Sequence, residues 1–276
     1  FLAVAILLLF IWTYDIQYLF LNLIFEDQNI ELKNSSSVIP CSSLNVSALR
    51  LITFDLFGAL MLTEVSLQQS IGMLLPMLSS DDVANFTSQW LFAYQSYFGH
   101  AISPSITHHM FQWVLRSSLV NILSSFQLTK QVPEGSVTFN DLISSWSNLQ
   151  PKVGAIEVLT KLSRKYQLGL LSNGDAVTLR RALRIFPSSV NVSLILSSDY
   201  PVNCFKPCSS MYAQALTAVH GDKTKVIHVA GSAFDTHGAR TFGIYSGALD
   251  PSAIRTKPKP CFAFNDIKQL IAFFHV

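Results

Sequence analysis

From Pro151 onward, short apolar runs alternate with segments of helical spacing, and this rhythm restricts the architecture more than any other property of the chain. "LGLLSNGD", "SLILSS", "KVIHVAG" and "FGIYSGA" read as strands, while "KVGAIEVLTKLSRKY", "AVTLRRALRIF", "SMYAQALTAV" and "IKQLIAFF" read as helices. In the first of these helices Val153, Ile156, Leu159 and Leu162 are expected to form the buried stripe. Apolar strands joined by helices build a parallel sheet covered on both faces, with ligands beyond the strands' carboxyl ends. The expected fold class is therefore α/β, a Rossmann-like doubly wound parallel sheet.

Upstream, "LITFDLFGAL" at 51–60 adds a strand that ends on a single carboxylate, Asp55, with a Gly three residues later. Such an acid is either a functional group at the sheet edge or a turn cap. Between this strand and Pro151 the pattern is almost wholly helical. In "DDVANFTSQWLFAYQSYF" the aspartates suit a helix N-terminus, and Val83, Phe86, Trp90 and Tyr94 recur at helical spacing. "THHMFQWVLRSSLVNILSSF" and "VTFNDLISSW" continue the block, with His108 and His109 expected on a helix surface. A helical block inserted there would lie over the ligand edge as a cap. The expected organisation is a hydrophobic segment at 1–25, a polar linker at 26–47, an α/β core at 48–65 and 150–276, and a helical cap at 66–149.

Residues 1–25 are long enough to span a bilayer only if Asp15, Gln17 and Asn22 are tolerated, and the first fourteen residues carry no charge. A signal-anchor is the first expectation and a signal peptide the second, in a chain that reads as truncated because it begins at Phe1. Four N-x-[ST] sequons, at Asn34, Asn45, Asn85 and Asn191, are a mild pointer to a secretory route, so a membrane-anchored or secretory location is expected. Cys41, Cys204, Cys208 and Cys261 are too sparse for a disulfide framework, and Cys204 and Cys208 are expected to be idle or buried thiols. A net charge of +2 without a basic stripe argues against nucleic acid, and no Cys/His grouping has zinc spacing. The expected partners are a small-molecule substrate, a membrane through residues 1–25, and a second copy through exposed apolar cap helices.

Polar stations fall at the expected strand ends or in the loops beyond: Asp55, Ser172-Asn173-Gly174, Lys206 in "NCFKPCSSMY", and Asp235 after "VIHVAGSAF". In a doubly wound sheet these converge on one crevice, where Lys206 would pair with Asp235 and favour an ionised, nucleophilic Asp55. Order and spacing resemble the haloacid dehalogenase superfamily, and its L-2-haloacid dehalogenase branch in particular. "FDLFGAL" resembles F-D-x-Y-G-T-L, "LLSNGD" resembles L-S-N-G, "FKPCSSMYAQAL" resembles K-P-x-x-x-x-Y-x-x-A, and "VAGSAFDTHGARTFGI" resembles S-S-N-x-x-D-x-x-G-A-x-x-F-G. The resemblance implies attack by Asp55 on C2 of a short 2-haloacid, an aspartyl ester, and its hydrolysis to a 2-hydroxyacid. Ser172 and Asn173 would hold the substrate carboxylate, with Phe57, Tyr212 and Ser232 at further substrate positions. It implies no cofactor, and Mg²⁺ would enter only for a phosphatase. That alternative is disfavoured because Phe57 stands where phosphatases carry a second Asp.

Several positions depart from the pattern. The family's Thr after the nucleophile is Ala59, its first Ser and its Asn in the fourth motif are Ala230 and Ser232, and its cap Arg aligns with Ser88. No Arg or Lys occurs from Leu51 to Ile106. In the family that Arg and Asn cradle the halide, so a catalytically weak or inactive binding member of the fold is a second expectation. Arg116 and His237 are candidate replacements, with His237 otherwise a solvent-exposed loop residue.

Overall fold

The computed structural model describes residues 38–98 and 107–276. Five strands, β1 Leu51–Phe54, β2 Gln167–Ser172, β3 Leu194–Ser197, β4 Val226–Ala230 and β5 Tyr245–Ala248, form one sheet in the order β3-β2-β1-β4-β5. Every neighbouring pair is parallel. The chain runs outward from β1 to β3 on one side, then crosses to β4 and β5 on the other. The switch point therefore flanks β1, where α/β sheets open a crevice. All of β1 is buried, as suits a central strand that is apolar except at Thr53.

Among the described residues, the block inserted after β1 holds four helices: α1 Thr63–Leu74, α2 Ser80–Ser96, α3 Phe111–Ser125 and α4 Val137–Ser145. Ser79 caps α2 by accepting from the Asp82 N–H, and Asp81 and Asp82 occupy its first turn, where the helix dipole favours acids. Val83, Phe86, Trp90 and Tyr94 are buried along one face, and the Trp90 indole donates to Ser118 Oγ of α3 at 3.0 Å. The segments entering and leaving this block run side by side. Leu62 N–H donates to Gln150 O and Lys152 N–H to Leu60 O, both at 2.8 Å, beside an antiparallel bridge between Met61 and Pro151.

Among the described residues the helices after this block are α5 Ala155–Leu162, α6 Ala176–Ala182, α7 Ser209–Ala213, α8 Ala233–Phe242 and α9 Gln269–Phe274. The buried stripe of α5 is Ala155, Val158, Leu159 and Leu162, not the spacing expected from Val153 and Ile156. Gly154 starts the helix in the left-handed conformation, so Val153 precedes it and is 79% exposed. His108 and His109 also lie outside a helix, since α3 begins at Phe111.

The cysteines overturn the expectation of idle thiols. Cys41 is bonded to Cys261 and Cys204 to Cys208. The first bond ties the end of the expected linker to the core, where Ser43 Oγ also lies 2.9 Å from the Tyr245 hydroxyl. The hydrophobic segment 1–25 and the linker up to residue 37 lie outside the described residues. Among the described residues, no helix is long and apolar enough to cross a membrane.

The loops after β1 and β4 touch backbone to backbone. A Cβ at Gly231 would lie 2.4 Å from Gly58 Cα and 2.6 Å from the Ala59 nitrogen. Gly231→Ala should therefore destabilise the fold by about 1–3 kcal/mol, the usual range for overpacking, read as a lower denaturation midpoint in urea.

Candidate active site

Asp55 leaves β1 with its N–H still bonded to Val229 O, and a single π-helical turn, Leu56–Leu60, follows. Its carboxylate does both things the sequence allowed. Oδ2 caps the turn by accepting from Gly58 N–H at 2.8 Å, while Oδ1 accepts from Ser172 Oγ at 3.0 Å and Lys206 Nζ at 2.9 Å.

Lys206 is 3% exposed. Its ammonium donates to Asp55 Oδ1, to Asp235 Oδ2 at 2.5 Å and to Leu171 O at 3.1 Å, which uses all three of its N–H groups. Its backbone N–H donates to Asn173 Oδ1 at 2.7 Å, so the Ser172-Asn173 pair at the end of β2 positions both the acid and the lysine loop. Asp235 sits in the first turn of α8, whose N-terminus Ser232 caps by accepting from the Asp235 N–H. Tyr212, fully buried, donates to Asp235 Oδ1 at 2.9 Å. Asp55, Ser172, Asn173, Lys206, Tyr212 and Asp235 thus form one connected network. Ser232 serves as a cap beside it.

Two members of the network were not read from the sequence. His228, buried within β4, places Nε2 2.9 Å from Asp235 Oδ2 and Nδ1 2.9 Å from Thr53 Oγ1. An ionised carboxylate only accepts, so the proton lies on Nε2. The signal available was a polar residue inside a strand apolar enough to be wholly buried, which requires a partner. Thr53 lies two residues before Asp55 and on the same face of the strand.

Electrostatics follow from this packing. Burial alone would raise the Asp235 pKa, but His228 and Lys206 outweigh it and hold the carboxyl well below the usual range. Burial likewise opposes the charge on Lys206, yet Asp235 and Asp55 together leave its pKa above the ordinary value. The Tyr212 hydroxyl is pushed well up, first by burial and then by Asp235, so it stays a neutral donor.

Two residues beyond Asp55, Phe57 joins an aromatic wall formed with the inserted helices. Phe57 stacks on Phe111 with centroids 5.8 Å apart and meets Trp146 edge-on at 5.5 Å, and Trp146 packs on Tyr94 at 4.6 Å. The first turn of α3 is anchored to acids beyond the sheet edge. Asp199 accepts from Phe111 N–H at 3.0 Å and lies 3.3 Å from His108 Nε2, and Gln112 Nε2 donates to Asp175 Oδ2 at 3.0 Å. The two candidate replacements for the missing cap Arg point elsewhere. Arg116 lies 3.8 Å from Glu134 and over the Phe139 ring, while His237 is a half-buried residue of α8 whose Nδ1 is 2.7 Å from Lys257 O. Lys152, unremarked in the sequence, donates to Gly58 O at 2.7 Å. Burial lowers its pKa despite opposing contributions from Asp55 and Asp250.

The residues do not fit a magnesium ion. Each of the four oxygens of Asp55 and Asp235 already accepts a hydrogen bond from a protein donor, and Phe57 supplies no third carboxylate. Among the described residues no group of three His, Cys, Asp or Glu is arranged to hold a metal.

A family model described as haloacid dehalogenase-like hydrolase matches residues 80–249, more than half of the sequence. The chain belongs to this family. The match includes Ser172, Asn173, Lys206 and Asp235; Asp55 lies upstream of it, and only the fold brings it to them. Among solved structures, the chain is similar to the defluorinating L-2-haloacid dehalogenase Rha0230, with a TM-score of 0.71 and 20% identity over 83% of this chain and 96% of that one. The L-2-haloacid dehalogenase of Xanthobacter autotrophicus with chloropropionic acid covalently bound gives 0.70 and 18%, over 82% and 98%. The magnesium-bound HAD-hydrolase YfnB of Bacillus subtilis gives 0.63 and 14%, over 83% and 99%. These likenesses show the shared fold. No curated protein sequence matches the chain.

Because Asp235 has a depressed pKa in the folded state, it contributes stability that is fully present above the ordinary carboxylate range, about pH 4, and lost as pH falls below it. Asp235→Asn should therefore be markedly less stable than the parent near pH 7, with the difference shrinking below pH 4 in urea titrations across pH 2.5–7.

Proposed function

We propose that this haloacid dehalogenase-like hydrolase uses Asp55 as a nucleophile and works through an aspartyl ester, most naturally in the hydrolysis of a carbon–halogen bond. The observation that carries this reading is Lys206 Nζ bridging Asp55 and Asp235 at 2.9 and 2.5 Å in the crevice beside β1. Oδ1 of Asp55 is held by two donors, so Oδ2, restrained only by Gly58 N–H, is the attacking oxygen. A bond forms from Oδ2 to carbon as the carbon–halogen bond breaks, and halide departs with the electron pair. Water then attacks the ester carbonyl, Lys206 and Ser172 stabilise charge developing on Oδ1, and the hydroxylated product leaves with release of one proton. A halide leaves without needing a proton, which suits a site that has Phe57 where a general acid would stand. Short 2-haloacids are the substrates that the resemblance implies.

In this reading α1–α4 act as the cap. Their aromatic wall excludes water from the ester until a water molecule is positioned. The location proposed is the membrane-anchored or secretory route, supported by two disulfides and by the exposure of Asn45, Asn85 and Asn191.

A second reading, a binding member of the fold with little or no catalysis, is favoured by one observation. Ser88 and Ser232 replace the halide-cradling pair, and Arg116 and His237 are engaged with Glu134 and Lys257. Single-turnover incubation in ¹⁸O-water with L-2-chloropropionate and L-2-bromopropionate separates the two. Label in the Asp55 peptide, abolished in Asp55→Asn, is expected from the first. No halide release under enzyme excess is expected from the second. Phosphate release from monoesters that requires Mg²⁺ would establish a phosphatase instead.

A further inference from the structure

We infer that Cys204 and Cys208 form a reversible thiol–disulfide site, a clasp around Lys206 that a dithiol opens and an oxidised dithiol closes. The inference concerns the loop that carries Lys206, and it holds whatever bond Asp55 attacks.

The Cys204–Cys208 bond closes a short ring of chain, and each of the three residues inside it packs against a different part of the molecule. Phe205 is buried against the inserted block, with its ring 5.0 Å from Phe98 and 4.7 Å from His108. Lys206 bridges Asp55 and Asp235. Pro207 lies on α8, where a Cβ added to Gly238 would come within 2.6 Å of the Pro207 Cβ. Cys208 leads directly into α7, whose Tyr212 donates to Asp235 Oδ1. Two members of the charged network, and one contact between core and inserted block, therefore depend on how this ring is held.

The cysteines themselves are half-buried, and Asn203, Ser209 and Ser210 beside them are exposed, so the bond borders solvent while the lysine it encloses is buried. A disulfide with a sequence separation of 4 removes far less freedom from the unfolded chain than Cys41–Cys261, whose separation is 220. Its role is local, and a bond that contributes less to folding is reduced more readily. In the exchange, a thiolate of the dithiol attacks one sulfur and the Cys204–Cys208 bond breaks to a mixed disulfide. The second thiol of the reagent then closes its own ring and releases the other cysteine, so two electrons and two protons pass from reagent to protein. Without the clasp, the backbone of the loop is held by single hydrogen bonds, from Cys204 N–H to Ser198 O, Cys208 N–H to Phe205 O and Lys206 N–H to Asn173 Oδ1. Such bonds open locally at modest cost, and with both ends untied the opening frees Lys206 from Asp55.

The test equilibrates the full chain with mixtures of reduced and oxidised dithiothreitol, quenches with N-ethylmaleimide and identifies the alkylated cysteines by peptide mass spectrometry. Cys204 and Cys208 are expected to react as a pair at a reduced-to-oxidised ratio at least about tenfold lower than Cys41 and Cys261, and to be protected again when oxidised reagent is restored. In the same samples, amide hydrogen exchange over residues 204–212 and acetylation of Lys206 by N-hydroxysuccinimidyl acetate should accelerate about fivefold or more. The double variant Cys204→Ser, Cys208→Ser should show the faster exchange at every ratio. Reduction of the two disulfides together or in the reverse order, failure of the pair to re-form, or unchanged exchange and labelling after reduction overturns the inference. Neither readout needs turnover, so a chain that releases no halide removes the aspartyl-ester reading and leaves the clasp to be judged by these results alone.

Discussion

One ammonium group between two carboxylates organises the whole sheet edge. Lys206 touches the acid after β1, the acid of α8 and the last turn of the β2 ladder through Leu171 O, so it fastens three elements that are far apart in sequence. Such a buried cluster is expensive to desolvate and holds only when every charge has a partner. Here each does: Ser172 and Gly58 complete Asp55, while His228 and Tyr212 complete Asp235. The arrangement fixes geometry at the same time as it neutralises charge, since the lysine is straight-jacketed by its own loop hydrogen bond to Asn173.

The sheet was legible because a parallel, doubly covered strand must be apolar throughout, and five such runs are bounded by helices in the sequence. The four stations at 55, 172–173, 206 and 235 were legible for a related reason: polar residues at the ends of such runs, or in the segments just beyond them, fall at the carboxyl edge. What stayed hidden had no periodic signature. His228 and Thr53 lie inside strands, where apolar character was the only cue in use. The pairing of Cys41 with Cys261 joins residues 220 apart, and nothing in local spacing encodes it. The α5 stripe was misplaced because a left-handed Gly154 moves the start of the helix from Lys152 to Ala155, three residues on.

The departures from the family pattern gain meaning from the surroundings. With no Arg or Lys between Leu51 and Ile106 and Arg116 turned to Glu134, the cluster that Phe57 joins is built from Phe57, Tyr94, Phe111 and Trp146. Aromatic faces tolerate polarizable, weakly hydrated groups and disfavour negative charge. In the reading proposed above, the sheet edge holds Asp55, Lys206 and Asp235, while the inserted helices supply the aromatic surroundings that decide what approaches them.

The paired connections at residues 60–62 and 150–152 carry a mechanical implication. Two segments knitted together at a single place join the inserted helices to the sheet, and the start of α3 supplies the partners of Asp199 and Asp175. A movement of those helices that opened the crevice would therefore have to give up the Phe111 N–H and Gln112 bonds and uncover two acids at its rim.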